Sequence, residues 1–157
     1  KLVTDEKIII TDPYNELKHQ MADYNGRQDL YIEDIIGEVR RYCKKYKKHW
    51  IITLHPAAQQ AQKDDKGNTY YGMPVAREAA GGQALLRKAM TWINMWRPPK
   101  DMNDKNGQPY PDNIVLINIE KAKPKGVAMR GEMFLQFDWK RNRYFEFPKL
   151  YAYDHEK

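Results

Sequence analysis

The sequence Lys7-Ile-Ile-Ile-Thr-Asp12 holds an apolar run that ends in a carboxylate, and Trp50-Ile-Ile-Thr-Leu-His55 is a second run that ends in a histidine. Short runs of β-favouring residues between turn signals predict buried strands. A helix is predicted between the two runs, and a strand–helix–strand unit has a right-handed crossover and parallel strands. Because ligands bind at the carboxyl ends of parallel strands, we expect Asp12 and His55 at one ligand-binding edge.

An acid and a histidine at such an edge suit a nucleotide bound with Mg²⁺. The acid can hold the hydrated metal, and the histidine can sense a phosphate. The same two residues also fit a simpler interpretation, in which strand-end polar side chains meet solvent or a loop amide. The pair alone leaves both interpretations open.

Composition describes one domain of 157 residues with a net charge of +6 and a pI near 9.2. An excess of positive charge favours an anionic partner, and nucleic acid is the commonest candidate. A basic surface that serves only solubility would give the same net charge and pI. No apolar run is long enough for a membrane span, and from these residues we expect no signal peptide. Four dispersed histidines and the single Cys43 do not make a zinc site. The abrupt start, Lys1 without methionine, leads us to expect a piece of a longer protein.

Apolar spacing predicts a helix from about Leu30 to Lys48, with Asp29 as its N-cap. Its buried stripe is predicted to be Ile32, Ile35, Ile36, Val39, Cys43 and Tyr46. Four lysines crowd its last turn: Lys44, Lys45, Lys47 and Lys48. We interpret them as a solvated end that suits the helix dipole, in preference to a binding site.

The rest of the chain is predicted as loops, one short helix and four strands. Residues 13–28 and 56–82 are loops, and the second is long enough to be functional or disordered. The helix is Gln83–Ala89, and the strands are Thr91–Arg97, Asn113–Lys121, Glu132–Asp138 and Arg143–Phe147. The last three strands are close in sequence and should pair antiparallel. The expected fold class is α/β, with parallel strands followed by an antiparallel β-meander.

This order of elements resembles the C-terminal half of a RecA-like ATPase core of the P-loop NTPase superfamily. It looks most like the hexameric replicative DNA helicases of bacteria and phages, including the phage primase-helicases. The matching stretches are 8–14, 51–56, 81–98, 119–123 and 131–138. The resemblance implies a βαβ-type half at 1–97 and a β-meander at 98–157. It also implies ATP and Mg²⁺ as cofactors, single-stranded DNA as partner, a homo-hexameric ring, and a cytoplasmic place in DNA replication, in a bacterial cell or phage-infected host.

Under this resemblance, Asp12 matches the acidic residue that orders Mg²⁺, and His55 matches the polar sensor of the γ-phosphate. A strand-end Asp that caps the next loop is the alternative for Asp12. The other histidines, His19, His49 and His155, have no such setting, and we interpret them as surface residues.

The loops 13–28 and 56–82 match the DNA-facing loops of the family. Lys63, Lys66 and Arg77 on the second loop would pair with phosphates without reading sequence. Tyr70 and Tyr71 could stack on bases or pack on the domain. Ordinary solvated charge is the alternative for the three cations.

Lys121-Ala-Lys123 matches a Lys-x-Arg element that reaches the ATP of a neighbouring subunit. Lys123 stands where the family has its arginine finger, and a lysine lacks the planar two-pronged donor. Arg130 is near enough in sequence to substitute, and a solvated basic hairpin is the alternative. Arg97 matches a position near adenine, with Phe137 as its stacking partner, although both fit strand-end and core roles.

One family feature is missing from the sequence. No G-x-x-x-x-G-K-[ST] motif occurs, so no phosphate loop cradles a nucleotide. We therefore expect the downstream part of a helicase ATPase, inactive by itself. Three alternatives remain: a non-catalytic nucleic-acid-binding domain of degenerate RecA-like fold, a recombinase or repair ATPase, and an unrelated α/β domain.

Overall fold

The computed structural model describes residues 5–57, 59–64, 66–79, 81–99, 102–104, 106–124, 126 and 128–147. They form two compact units: the first from 1–58 and 76–89, the second from 59–75 and 90–157. Helices and sheets are both present, so the α/β class is confirmed. The family-based division after residue 97 stays a prediction.

The first unit is built on a parallel pair of strands, β1 (Ile8–Thr11) and β2 (His49–Ile52). Ile8 lies opposite His49 and Thr11 opposite Ile52, which confirms the predicted parallel pairing. The strands alternate between exposed and part-buried residues. The alternation gives the pair one covered face and one open face.

Between these strands runs α1 (Gln28–Tyr46), whose apolar stripe forms the centre of the first unit. Ile32 and Ile36 are buried, whereas Tyr46 is 43 % exposed, so its place in the predicted stripe was wrong. Tyr46 is the last helical residue, where the chain turns through a left-handed Lys47 towards β2. Cys43 is only part-buried, and that burial raises the pKa of its thiol.

The start of α1 also differs from expectation. Arg27 is the N-cap residue, and Asp29, predicted to be the cap, lies within the first turn. The Asp29 carboxylate accepts a hydrogen bond of 2.7 Å from the Arg27 guanidinium. Its charge at the positive end of the helix dipole still stabilises the start, without a capping bond.

A second helix, α2 (Gly82–Lys88), completes this unit by burying Ala84 and Leu85. The chain reaches it through a tight turn at Gly81, where φ is 66°. A Cβ on Gly81 would lie 1.9 Å from Ile32 Cδ1, and a Cβ on Gly82 would lie 1.6 Å from the Ala76 carbonyl oxygen. Both glycines are therefore required by close approach.

The second unit contains a hairpin where the sequence predicted an unstructured loop. β3 (Ala61–Lys63) and β4 (Thr69–Tyr71) pair antiparallel within residues 56–82. The strands have only three residues each, too short for a periodic pattern to stand out from a polar loop. The prediction that this whole segment is a loop was wrong.

Four antiparallel strands form the main sheet of the second unit: β5 (Thr91–Trp96), β6 (Ile114–Ala122), β7 (Gly131–Asp138) and β8 (Arg143–Glu146). Their order is β5-β6-β7-β8, which confirms the meander and adds β5 to it. One face buries Asn94, Leu116 and Gln136. The other face carries Ile93 and Met95, which are 53 % and 61 % exposed.

We expect opposite effects from one substitution at two helical glycines. Gly82→Ala should lower the free energy of unfolding by about 2 kcal/mol or more, because its methyl group meets backbone that cannot move aside. Gly37→Ala should raise it by about 0.5–1 kcal/mol, since the nearest atom to its Cβ is the flexible Arg41 guanidinium at 3.7 Å. Urea unfolding followed by circular dichroism measures both. Equal effects at the two positions would contradict this packing.

Candidate nucleotide edge and DNA-facing hairpin

The parallel register sets the position of Asp12. Because Thr11 pairs with Ile52, the next residues, Asp12 and Thr53, lie side by side beyond the strand ends. The Thr53 hydroxyl donates a hydrogen bond of 2.5 Å to Asp12 Oδ1, and the Thr53 amide donates one of 2.9 Å to the Thr11 carbonyl. The first bond therefore holds the carboxylate at this edge, and the second holds the backbone next to it.

The loop after β1 folds back onto the segment that carries His55. The Tyr14 amide donates to the Thr53 carbonyl over 2.9 Å, and the His55 amide donates to Asn15 Oδ1 over 3.0 Å. The His55 side chain is exposed at the same edge as the exposed Asp12. The structure thus brings the two sequence-predicted residues together through Thr53 and Asn15.

Beneath this loop lies a cluster of aromatic rings. Tyr14 is only 6 % exposed, and burial, with a smaller contribution from Tyr31, raises its pKa to about 12. The His19 ring lies 4.5 Å from the Tyr14 ring and 5.6 Å from the Tyr31 ring, centre to centre. The interpretation of His19 as a surface residue was therefore wrong, while His49 is exposed as expected and His155 lies outside the described residues.

His19 ties the loop to α1 through both ring nitrogens. Nε2 lies 3.2 Å from the Tyr14 carbonyl oxygen, and Nδ1 lies 3.3 Å from the Tyr31 hydroxyl. Since a carbonyl oxygen only accepts, Nε2 carries the proton, and in the neutral ring Nδ1 accepts from Tyr31. This bridge holds the loop that supplies Asn15.

At the strand end, Asp12 is a carboxylate that could meet a cation. Among the described residues, no group of three or more histidine, cysteine, aspartate or glutamate side chains is close enough to hold a metal ion. Mg²⁺ keeps several waters and takes one or two carboxylates together with substrate phosphates. Asp12 therefore fits a magnesium–phosphate complex better than an all-protein metal cage.

Sequence reasoning missed the supporting residues Thr53, Asn15, Tyr14 and His19. For Thr53 a signal existed, because a parallel register that pairs the two apolar runs places it beside Asp12. The other three depend on how the loop folds back, which no periodic pattern encodes.

A second candidate surface is the β3–β4 hairpin, which presents the exposed Lys63 and Lys66. Lys63 pairs with Thr69, and Ala61 pairs with Tyr71, which is 54 % exposed. Because side chains alternate along a strand, Lys63 and Tyr71 share one face. Cations beside an exposed ring suit single-stranded nucleic acid, whose phosphates pair with charge and whose bases stack.

Asp64 shapes the turn of this hairpin. Its Oδ1 accepts from the Lys66 and Asn68 amides over 3.0 and 2.7 Å, and its Oδ2 accepts from the Asn68 side chain over 2.9 Å. The Asn68 side-chain bond is the largest cause that lowers the pKa of Asp64, with the backbone bonds and the Lys66 charge helping. Asp104 builds the same turn elsewhere in the second unit, accepting from the Asn106 and Gln108 amides over 2.8 Å each.

The remaining predicted residues lie at the ends of elements. Arg77 is exposed in a short 3₁₀ turn, Ala76–Glu78, of the first unit. Arg97 is exposed immediately after β5, while Phe137 on β7 packs against Trp139 and Tyr144, with ring centres 4.5 and 5.0 Å away. The pairing of Arg97 with Phe137 stays a prediction.

The predicted trans-acting cations belong to the β6–β7 hairpin of the second unit. Lys121 lies near the end of β6, Lys123 is exposed just beyond it, and Arg130 is exposed immediately before β7. Ile119 pairs with Gly131, so Lys121, Lys123 and Arg130 all lie at the same end of this hairpin.

Comparison with known proteins gives one informative similarity. Over 140 residues the chain is 24 % identical to the Twinkle homolog protein, chloroplastic/mitochondrial, of Arabidopsis thaliana. The match covers 89 % of this chain and 18 % of that protein. No protein-family model matches the chain. The similarity supports a relationship to helicase-like proteins.

None of the described helices is both long and apolar enough to span a bilayer.

We expect Asp64→Ala to loosen the β3–β4 hairpin, because it removes the acceptor for both turn amides. Hydrogen exchange of the Lys66 and Asn68 amides should accelerate, and Asp64→Asn, which keeps one acceptor oxygen, should do less. Since the folded pKa is lowered, the wild-type protection is present above the ordinary value of 3.8 and is lost as pH falls through the folded value. Asp104→Ala is the matched control and should leave these two amides unchanged.

Proposed function

We propose that the chain is the C-terminal part of the RecA-like ATPase core of a DNA helicase that moves along single-stranded DNA. The observation that carries the proposal is the common edge of Asp12 and His55 at the carboxyl ends of two parallel strands. The similarity to the Twinkle homolog protein, which runs over 89 % of this chain, supports a helicase-related protein. Because the chain spans 18 % of that relative, the activity of the whole protein, its ring and its cofactors are parts of the proposal.

At the nucleotide, Asp12 would orient the waters of an ATP-bound Mg²⁺, with Thr53 fixing one carboxylate oxygen. His55 would donate a hydrogen bond to the γ-phosphate. The His55 amide is held by Asn15 of the loop after β1, so a shift of the histidine on phosphate loss reaches that loop directly. This contact offers a short route from hydrolysis to a DNA-facing segment.

At the subunit boundary, Lys121 and Lys123 would approach the ATP of a neighbouring subunit. A lysine offers a compact charge without the planar fork of arginine, so it stabilises transferred phosphoryl charge less specifically. Arg130 is exposed at the same end of the β6–β7 hairpin and would supply the missing fork. Arg97 and Phe137 would border the adenine base.

We expect the isolated chain to show no ATP hydrolysis, because no phosphate loop is present to hold the nucleotide. In the full-length protein, Asp12→Ala should lower the rate of hydrolysis by about 10²-fold, since charge stabilisation at the phosphates is lost. His49→Ala, which changes an exposed histidine on the opposite strand end, is the control and should keep the rate. Phosphate release measures both. Hydrolysis by the isolated chain that Asp12→Ala abolishes would overturn the proposal.

A binding experiment tests the DNA-facing hairpin. Lys63→Gln/Lys66→Gln should weaken binding of a fluorescent 20-nucleotide single strand and lower the salt slope of log affinity by about 1.4, at about 0.7 per phosphate contact. Lys140→Gln/Arg143→Gln removes the same charge from the β7–β8 turn and should have little effect. The hairpin has no role in binding if the two double variants behave alike.

A non-catalytic DNA-binding domain of the same fold is the second candidate, favoured by the exposed Lys63–Tyr71 face and the absent phosphate-loop motif. The two candidates differ in the full-length protein. DNA binding without any ATP hydrolysis there would select the second, whereas hydrolysis that depends on Asp12 selects the helicase. Strand exchange in place of unwinding would point to a recombinase.

A further inference from the structure

The C-terminal end of α1 concentrates positive charge. The cations there, which we name the basic end, are Arg40, Arg41, Lys44, Lys45, Lys47 and Lys48. No acidic residue lies between 40 and 48, whereas the acidic residues of the helix all lie before Val39. At 3.6 residues per turn, the four cations within the helix cover an arc of about 140°. They are exposed, while the buried Ile32 and Ile36 lie on the other side of the helix.

The helix dipole explains only part of this concentration. Its effect falls off within the last turn, which holds Lys44 and Lys45. Arg40 lies a turn earlier, and Lys47 lies beyond the helix. Like charges four residues apart, as in Arg40–Lys44 and Arg41–Lys45, destabilise a helix. The basic end therefore carries more cations than are needed to offset the helix dipole.

Few of these charges are neutralised within the chain. Arg41 pairs with Glu38, and the Lys48 ammonium donates to the Glu6 carbonyl over 2.6 Å. The ion pairs among the described residues include neither Arg40 nor Lys44 nor Lys47. These cations instead face solvent. Their mutual repulsion destabilises this end of the helix, and a bound anion would reduce that repulsion.

We propose that the basic end is a nucleic-acid-binding surface, separate from the β3–β4 hairpin, that contacts the phosphate backbone without reading sequence. The helical part of the basic end, residues 40–46, extends over about 9 Å at 1.5 Å per residue, a length over which a duplex carries about five phosphate charges at 1.7 Å each. The Lys45 ammonium lies 5.3 Å from the centre of the Tyr46 ring, which is 43 % exposed and also packs against the Tyr42 ring, with the two ring centres 4.8 Å apart. A membrane surface fits less well, because a lipid-bound helix inserts an apolar face and that of α1 is buried.

This surface does not depend on the proposed ATPase function. α1 ends where β2 begins, so the basic end lies at the amino edge of the parallel pair, opposite Asp12 and His55. From Lys47 to Thr53 the chain runs about 20 Å at 3.3 Å per residue, well beyond the Debye length of about 8 Å at physiological salt. A nucleotide at one edge and a nucleic acid at the other would not compete.

The test compares Lys44→Gln/Lys45→Gln/Lys47→Gln with a matched control, Lys88→Gln/Lys140→Gln/Arg143→Gln, which removes the same charge elsewhere. Binding to a fluorescent 20-nucleotide strand and a 20-base-pair duplex is followed by anisotropy from 50 to 200 mM salt. The first variant should weaken binding about tenfold at low salt and lower the single-strand salt slope by about 2, at about 0.7 per contact. The control should change the slope little, and Lys44→Arg/Lys45→Arg/Lys47→Arg should restore wild-type binding.

A measurement on the wild-type chain keeps the test independent of folding. Bound DNA should slow the acetylation of Lys44, Lys45 and Lys47, read by mass spectrometry, and should leave Lys88 and Lys140 unprotected. ATP with Mg²⁺ should not alter this pattern. Equal effects of the two glutamine variants, or equal protection of all five lysines, would overturn the proposal. Binding to phosphatidylserine vesicles that fails in the first variant, with DNA binding intact, would replace it with a membrane surface.

Discussion

The parallel pairing of β1 with β2 is the constraint on which the first unit depends. The register that places Ile8 opposite His49 also places Asp12 beside Thr53, and the hydroxyl bond follows from that neighbourhood. A slip by one residue would turn the apolar side chains of a strand to its other face and separate the two residues. The same pairing requires a long crossover between the strands, which α1 supplies here, because parallel neighbours cannot be joined by a short turn.

What the sequence predicted well rests on long or regular patterns. The α1 stripe follows from periodicity over a whole helix, the parallel pair from two apolar runs joined by that helix, and the meander from strands that lie close together in sequence. What it missed rests on single contacts. The β3–β4 hairpin depends on the side-chain acceptors of Asp64, and the bridging role of His19 depends on where Tyr14 and Tyr31 come to lie. Both require a folded backbone to be recognised.

Each unit has exposed apolar side chains on one face of a sheet. In the first unit, the exposed side chains are Ile8, Ile10 and Ile51, at 50–63 %. In the second unit, Ile93 and Met95 are 53 % and 61 % exposed. Parallel strands are normally covered on both faces, so the open side of β1 and β2 is the less usual of the two. Antiparallel sheets often keep one solvated face, but such a face is usually polar. These open faces are consistent with the proposal that the chain works as a part of a larger core.

The two ends of α1 lie near the two different sites that we propose. Its start follows the loop that supplies Asn15 to the Asp12–His55 edge, and its end carries the basic surface. A helix of 19 residues extends about 28 Å, so charge at one end is screened from the other at physiological salt. Coupling between a nucleotide and a nucleic acid on this unit would therefore travel through packing, by way of Tyr14, His19 and Tyr31, since direct electrostatics does not reach that far. His19 contacts both the loop and the helix in this route.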